Sequence, residues 1–417
     1  MKNYRVAVTG LGVIAPNGIG KEEFWSANTQ GISVIEKISL FEDYNFNVKI
    51  AGQVKNFDPL KFMSKEVVER TDRFVHLGVA SAKLAVEDSD LDLKKEDPAR
   101  IGVIVGSGNG GQLYHEEHLM AACKKGFDHR NPIHPLSIPR VSPNAVASHI
   151  AIQFNLQGPN MVISTACSSG AHAIGEAFRK IQHGELDICV SGGVEAPLTP
   201  FTFGAYSALR VLSKHNAAPQ EASRPFDRER DGFILSEGAG ILILEELDHA
   251  LRRNTHIYSE IRGYAANSGA YHMVVPVPDG TDAAKAIYNA LQDASLSVND
   301  IDYINAHGTS TQANDMAETS AIKSVFGERA YHIPISSTKS MIGHSIGAAG
   351  AIEAVVCALS IKNGLIPPTI NYHHKDPDCD LDYTPNQSRR SKVGTALSNS
   401  FGFGGSNVCL VLSKENL

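Results

Sequence analysis

Apolar residues in this chain gather in short β-branched runs without strict alternation, and longer stretches of helical pattern lie between them. The runs at 5–10 (RVAVTG), 101–106 (IGVIVG), 161–165 (MVIST) and 188–192 (ICVSG) predict strands. So do 241–244 (ILIL), 301–306 (IDYINA), 333–338 (IPISST), 394–398 (GTALS) and 408–412 (VCLVL). Strands that are apolar throughout are buried on both faces, so the pattern predicts an α/β fold with helices on either side of its sheets. Helical spacing marks 74–87, 170–183, 283–294, 317–326 and 348–362. Across 345–362 the apolar positions fall nearly all round, which predicts a helix enclosed by protein.

A theme repeats. Near Cys167 a strand ends in a turn of small residues and a helix begins; near His344 the strand at 333–338 leads through a glycine-serine-glycine turn into another helix. The charged, uncapped stretch at 248–256 (DHALRRNTH) separates the two occurrences, so the reading is two halves, 1–255 and 256–417. The segment 106–143, rich in His, Gly and Pro, reads as loop and helix inserted into the first half.

Composition narrows the class. Hydrophobic residues at 42% and charged residues at 20% of 417 exclude a disordered chain. The net charge, 38 − 45 = −7, argues against a broad nucleic-acid footprint. Six cysteines without a CxxC pair read as reduced cytosolic thiols, not as disulfides or a zinc site. The first residues show no signal-peptide core, and no apolar run approaches the roughly 18 residues of a membrane span. The expectation is a soluble, cytoplasmic protein.

Two glycine patterns mislead. Gly10-Leu-Gly12-Val-Ile-Ala15 follows a strand like a dinucleotide fingerprint, but Pro16, Asn17, Gly18 and Gly20 contradict the helix that would seat a pyrophosphate. Gly106-Ser-Gly108-Asn-Gly110-Gly111 lacks the GK[ST] ending of a phosphate loop. Both read as tight turns at sheet edges. The histidine pairs His115/His118 and His373/His374 have no third ligand nearby in a metal-binding pattern.

The chemistry gathers elsewhere. In VISTACSSG, Cys167 stands between a strand and a helix among small neighbours. A helix N-terminus favours the thiolate over an ordinary pKa of about 8.5, so the residue is a candidate nucleophile. The alternative is an inert buried cysteine. His307, in NAHGTST, lies just past a strand, and Lys339 and His344 flank a further strand-to-helix turn in SSTKSMIGHSIG. Open α/β sheets place their sites at such C-terminal strand ends. A cysteine to accept an acyl group, with two neutral imidazoles to donate hydrogen bonds to a developing enolate, suits thioester chemistry. SNSFGFGGSN puts Phe403 between glycines on a hairpin-like turn, either as a mobile gate beside half an oxyanion hole or as a packing residue.

These motifs, with VTGLGVIAPNG, ASRPFDRERDGFILSEGAG (222–240), PPTIN (367–371) and CDLDY (379–383), closely resemble the β-ketoacyl-[acyl carrier protein] synthases of the KAS II type in the thiolase superfamily, nearly end to end. The resemblance implies a thiolase-like five-layer α-β-α-β-α fold from two pseudo-duplicated halves, normally a dimer. It implies Cys167 as nucleophile, His307 and His344 on the malonyl carbonyl, and Lys339 orienting them. It further implies an oxyanion hole from the N–H groups of Cys167 and Phe403, with Phe403 as gate. Glu353 falls where some members hold a structural cation beside Asn305. Lys65, Arg70, Arg73 and Arg210 lie where relatives dock the acidic carrier protein; otherwise they are solvated charges.

The implied reaction is decarboxylative condensation of an acyl group on Cys167 with malonyl-carrier protein, without a redox cofactor. Phosphopantetheine arrives on the carrier protein. Tyr271-His-Met-Val274-Val275 departs from the family's hydroxyl-bearing run along the pantetheine arm, and 133–150 (IHPLSIPRVSPNAVASHI) resembles ketosynthases of type II polyketide systems. Fatty-acid elongation and polyketide assembly both stay open, as do a homodimer and a heterodimer with a chain-length-factor subunit. A degradative thiolase would need a second catalytic cysteine in the last glycine turn, where Gly402-Phe403-Gly404-Gly405 stands. An initiating synthase of the KAS III type would use one histidine and an asparagine, and a silent subunit would lack the nucleophile or the histidines.

Overall fold

The computed structural model describes residues 3–42, 44–126 and 133–415. Strand β1 (Val6–Ala15) is buried at every position. It shares a sheet with β2 (Ile101–Gly106), β3 (Asn160–Ile163), β4 (Ile188–Glu195) and β5 (Gly238–Glu246). The second half supplies β6 (Ser259–Ser268), β7 (Tyr303–Asn305), β8 (Ile335–Ser336), β9 (Thr395–Gly402) and β10 (Ser406–Ser413).

Spatially the first set runs β1-β5-β4-β2-β3 and the second β6-β10-β9-β7-β8, so each set has the order 1-5-4-2-3. Directions agree too: first with fifth and fifth with fourth are antiparallel, fourth with second and second with third parallel. The sets join where Val6, Ala7 and Val8 of β1 pair antiparallel with Ile261, Glu260 and Ser259 of β6. The result is one eleven-stranded sheet that includes the short strand Gly18–Ile19.

Helices complete the layers. α1 (Arg73–Asp88) and α2 (Ala145–Phe154) cover the outer face of the first set. α3 (Ser169–Gln182) packs on its inner face, and α4 (Pro200–Ala208) flanks the chamber around Cys167. α5 (Thr281–Ala294) and α6 (Gln312–Phe326) cover the outer face of the second set. α7 (Ala349–Asn363) lies beside α3 between the two sets. Helices, sheet, helices, sheet and helices make the five layers of the thiolase fold. In β10, Val408, Leu410 and Leu412 face the central helices while Cys409 and Val411 face the outer ones. Both faces need apolar residues, which is why the sequence shows no alternation.

Three expectations change. The stretch Ile346–Asn363 is long and apolar enough to cross a membrane, but 89% of it is buried inside the protein, as its all-round apolar pattern implies. Gly10 and Gly12 form no edge turn; they lie within β1, where a Cβ would overlap the carbonyl oxygens of Ala85 and Ser81 on α1. They are glycine because helix and strand touch there, and Ser81 Oγ donates to Gly12 O at 2.8 Å. The charged stretch after β5 is a capped helix (Leu247–Arg252), with the Glu246 carboxylate accepting from the N–H groups of Asp248 and His249. In the inserted segment, Gln112–Lys125 and Ser137–Val141 are helical, and 127–132 lie outside the described residues.

Candidate active site

Beyond β3 the chain turns sharply at Ala166, whose φ of 51° is left-handed, and a 3-10 turn (Ala166–Ser168) carries Cys167 into α3. Such a backbone disfavours any Cβ. Hydroxyls hold it. Ser169 Oγ donates to Ala166 O at 2.6 Å and accepts from Thr165 N at 2.9 Å, while Ser168 Oγ donates to Thr165 O at 2.8 Å. The small residues of this motif therefore tie the turn together as well as leaving room. Cys167 is only 5% exposed, and burial pushes its thiol up to about 12, against the opposing pull of the Lys339 charge and the N–H of Phe403. Burial thus works against the thiolate that the helix terminus favours, while Lys339 and the Phe403 N–H work for it.

The second half repeats the turn. Ile346 has φ 45°, and the 3-10 turn Ile346–Ala348 leads into α7, with Gly347 standing where Cys167 stands in the first half. The N–H of Gly347 donates to Glu195 Oε2 at 3.1 Å. The same carboxylate, at the end of β4, takes the N–H groups of Gly108 at 2.6 Å and Asn109 at 3.0 Å. Burial raises Glu195 to about 7 despite these donors.

His307 follows β7, and its loop is fixed from behind. The N–H groups of His307 and Gly308 each donate to the Glu318 carboxylate at 2.8 Å, and Asn399 Nδ2 donates to it at 3.0 Å. Glu318, on α6, went unnoticed in the sequence; the only signal was an acid on the buried face of the helix after NAHGTST. His344 meets His307 edge to face, with ring centroids 5.3 Å apart at 85°. Burial and the Lys339 charge hold both imidazoles well below the ordinary 6.5, so both are neutral. Lys339 Nζ donates to His307 O at 2.6 Å, lies 3.4 Å from His307 Nδ1 and pairs with the Glu353 carboxylate. An ammonium only donates, so Nδ1 of His307 is its acceptor and the ring proton sits on Nε2. Neither ring nitrogen of His344 has a hydrogen-bond partner, although both are buried.

One cavity joins these groups. Cys167, His307, His344, Phe401 and Phe403 line it, and His272, Val274 and Val275 form an outer wall without hydroxyls. Phe403 opens the turn between β9 and β10, with its N–H on the Cys167 sulfur, and Gly404 N donates to Met273 O at 2.8 Å. Asn305 Oδ1 and, on the carboxylate that pairs with Lys339, Glu353 Oε2 are buried without partners, and oxygen donors of this type fit a hard cation.

The docking candidates separate. Lys65 is 79% and Arg70 59% exposed, on one short helix, each with a glutamate partner four residues away. Arg210 is also exposed. Arg73 turns inward: it grips buried Glu237 through Nε at 2.7 Å and Nη2 at 2.8 Å, and it donates to Val54 O. That corrects its assignment to a docking patch, because its guanidinium neutralises an interior carboxylate.

Known proteins match this chain along nearly its whole length. The family described as "Beta-ketoacyl synthase, N-terminal domain" matches residues 3–250, and "Beta-ketoacyl synthase, C-terminal domain" matches 258–373. A 3-oxoacyl-[acyl-carrier-protein] synthase 2 of Coxiella burnetii is 44% identical, with 99% of each chain covered. A putative polyketide beta-ketoacyl synthase 1 of Streptomyces cyaneus is 42% identical over 98% of each. Among solved structures, a type II PKS ketosynthase, bound to the hexaketide in complex with its acyl-carrier protein, superposes with a TM-score of 0.93 at 39% identity, covering 99% of this chain and all of that one. Sequence and fold agree over both halves, and the chain belongs to the beta-ketoacyl synthase family.

Proposed function

We propose that the protein is a β-ketoacyl-[acyl carrier protein] synthase, an acyltransferase that lengthens a carrier-bound acyl chain with malonyl units. The observation that carries this reading is the pair of neutral histidines, with His344 unpartnered, facing the same cavity as Cys167. Two N–H donors that hold no charge can polarise a thioester carbonyl without protonating the carbanion they help to form.

In the first step Cys167 Sγ attacks the acyl thioester. The N–H groups of Cys167 and Phe403 stabilise the oxyanion, and the leaving pantetheine sulfur takes up the thiol proton. Malonyl-carrier protein then occupies the cavity with its thioester oxygen on His307 Nε2–H and a ring N–H of His344. Carbon dioxide leaves, and the enolate carbon attacks the acyl-cysteine carbonyl. Collapse expels the Cys167 sulfur, which regains a proton, and a 3-oxoacyl thioester two carbons longer departs. Lys339 keeps His307 in the donating tautomer, and a cation at Asn305 and Glu353 would add positive charge behind it.

The reading takes 1–255 as the half with the nucleophile and 256–417 as the half with the histidines and gate. It includes a cytoplasmic setting, supported by six free cysteines. Its macromolecular substrate is an acyl carrier protein, met by Lys65, Arg70 and Arg210. Its subunit partner, a second copy or a chain-length-factor subunit, covers the open edge of β3 and the neighbouring Ile138 and Ile152, 75% and 74% exposed.

Intact-mass spectrometry tests this. Acyl-carrier protein should add one acyl group to the wild-type chain and none to Cys167→Ala, and malonyl-carrier protein should then yield the elongated product. Acylation retained in Cys167→Ala removes the cysteine from its role.

A further inference from the structure

The short helix Lys65–Arg70 carries two of the exposed cations assigned to the carrier protein, yet none of its side chains is fully buried. A helix of this length does not stand by its own backbone bonds, and its exposed Lys65–Glu69 and Arg70–Glu66 pairs add little. Its hold is at the C-terminal end. The last four carbonyls of a helix lack intrahelical donors, and here each meets a side chain. Thr71 Oγ1 donates to Val67 O at 2.6 Å, and His76 Nε2, on α1, donates to Val68 O at 3.1 Å. Arg140 takes the other two: its Nε donates to Arg70 O at 3.0 Å and its Nη2 to Glu69 O.

Arg140 alone among these caps comes from the inserted segment, on the turn of helix Ser137–Val141. Its guanidinium lies over the Tyr114 ring, 4.7 Å from the centroid, and the N–H of Tyr114 donates to Asp72 Oδ2, at the start of α1, at 2.7 Å. Two residues along the same helix, the Glu116 carboxylate accepts from the N–H of Phe201 at 2.8 Å and from the hydroxyls of Thr199 and Thr202. Those residues stand at the start of α4, whose Tyr206 lines the cavity with Cys167. The inserted segment thus grips the docking helix at one place and a wall of the reaction chamber at another. We propose, on the carrier-docking reading, that Arg140 is a positioning residue. Its guanidinium fork sets the Lys65–Arg70 helix relative to the chamber, so that both cations meet an acidic carrier protein while its thioester reaches Cys167. A fork spanning two adjacent carbonyls fixes orientation as a single ammonium does not, and its charge suits the negative end of the helix.

Hexanoyl-carrier protein and the N-acetylcysteamine thioester of hexanoate are the probes, with mass spectrometry following the acyl adduct on Cys167 of the intact protein. For Arg140→Met the half-saturating concentration of hexanoyl-carrier protein should rise about tenfold, the factor that one charge-assisted hydrogen bond contributes, with the limiting rate retained. The small thioester brings no carrier to dock, so its labelling rate should match the wild type. Arg140→Lys, which keeps the charge without the fork, should resemble Arg140→Met. Unchanged half-saturation in Arg140→Met overturns this proposal alone, as does recovery in Arg140→Lys, which makes the residue a plain docking charge. Slow labelling by both thioesters in Arg140→Met also overturns it, because the residue then serves the fold as a whole. Wild-type half-saturation in Lys65→Ala with Arg70→Ala overturns the carrier-docking reading itself, and labelling of the wild type by neither probe overturns the condensing-enzyme reading.

Discussion

Replacing Lys339 with methionine separates its electrostatic role from its bulk. Lys339 and Glu353 are 3% and 2% exposed and pair directly, and the ammonium also holds His307 O and Nδ1. Removing one member of a buried pair leaves the other charge uncompensated, at roughly 3–5 kcal/mol. The variant partly escapes by protonating Glu353, which burial already raises to about 7 with Lys339 present. Without the lysine that pKa rises further, and the sign follows. Wherever the folded variant holds a proton that the unfolded chain has released, its stability falls as pH rises, by up to about 1.4 kcal/mol per unit. Wild-type Glu353 stops contributing above about 7, so the gap between the two proteins should widen from pH 7 to 8.5 by about 2 kcal/mol. Urea unfolding at several pH values reads this directly. Lys339→Met with Glu353→Gln should recover most of the stability and flatten the pH dependence, yet still decarboxylate malonyl-carrier protein slowly because His307 has lost its tautomer partner. A pH-independent gap, or a double variant no more stable than the single one, refutes the electrostatic account.

His344→Ala should leave acylation of Cys167 intact and slow malonyl decarboxylation on the order of a hundredfold, measured as released carbon dioxide. Arg73→Ala should lower stability by about 3 kcal/mol or more by stranding buried Glu237, whereas Lys65→Ala, Arg70→Ala and Arg210→Ala should raise the KM for carrier protein without moving the melting temperature. Gly12→Ala places a methyl group on the Ser81 carbonyl and should cost about 1–3 kcal/mol in unfolding free energy, far from the cavity.

The strands and central helices were legible because burial on both faces leaves unbroken apolar runs, and the 345–362 pattern marked an enclosed helix. Strand β6 escaped notice because its far end carries Ala, Asn and Ser, and its pairing with β1 and β10 decides its structure. Cys167, His307, Lys339 and His344 stood out because each breaks a local pattern at a strand end. The protonation of Cys167, His307 and His344 did not, since it depends on burial created by remote segments. Arg73 and Arg70 look alike in sequence and differ only through Glu237, distant in the chain and adjacent in space. Glu318 and Glu195 were invisible for the same reason: their importance lies in the backbone N–H groups they collect.

The paired turns at Cys167 and Gly347 bear on stoichiometry. A chain that folds the same strand–turn–helix unit twice has two places for a reactive side chain, yet the second holds a glycine whose N–H is already engaged by Glu195. A thiol introduced there would face the protein's own carboxylate, not an incoming thioester. On the condensing-enzyme reading each chain should therefore take up a single equivalent of acyl group, and an assembly should count its working centres by subunits, however many copies of the motif its sequence contains.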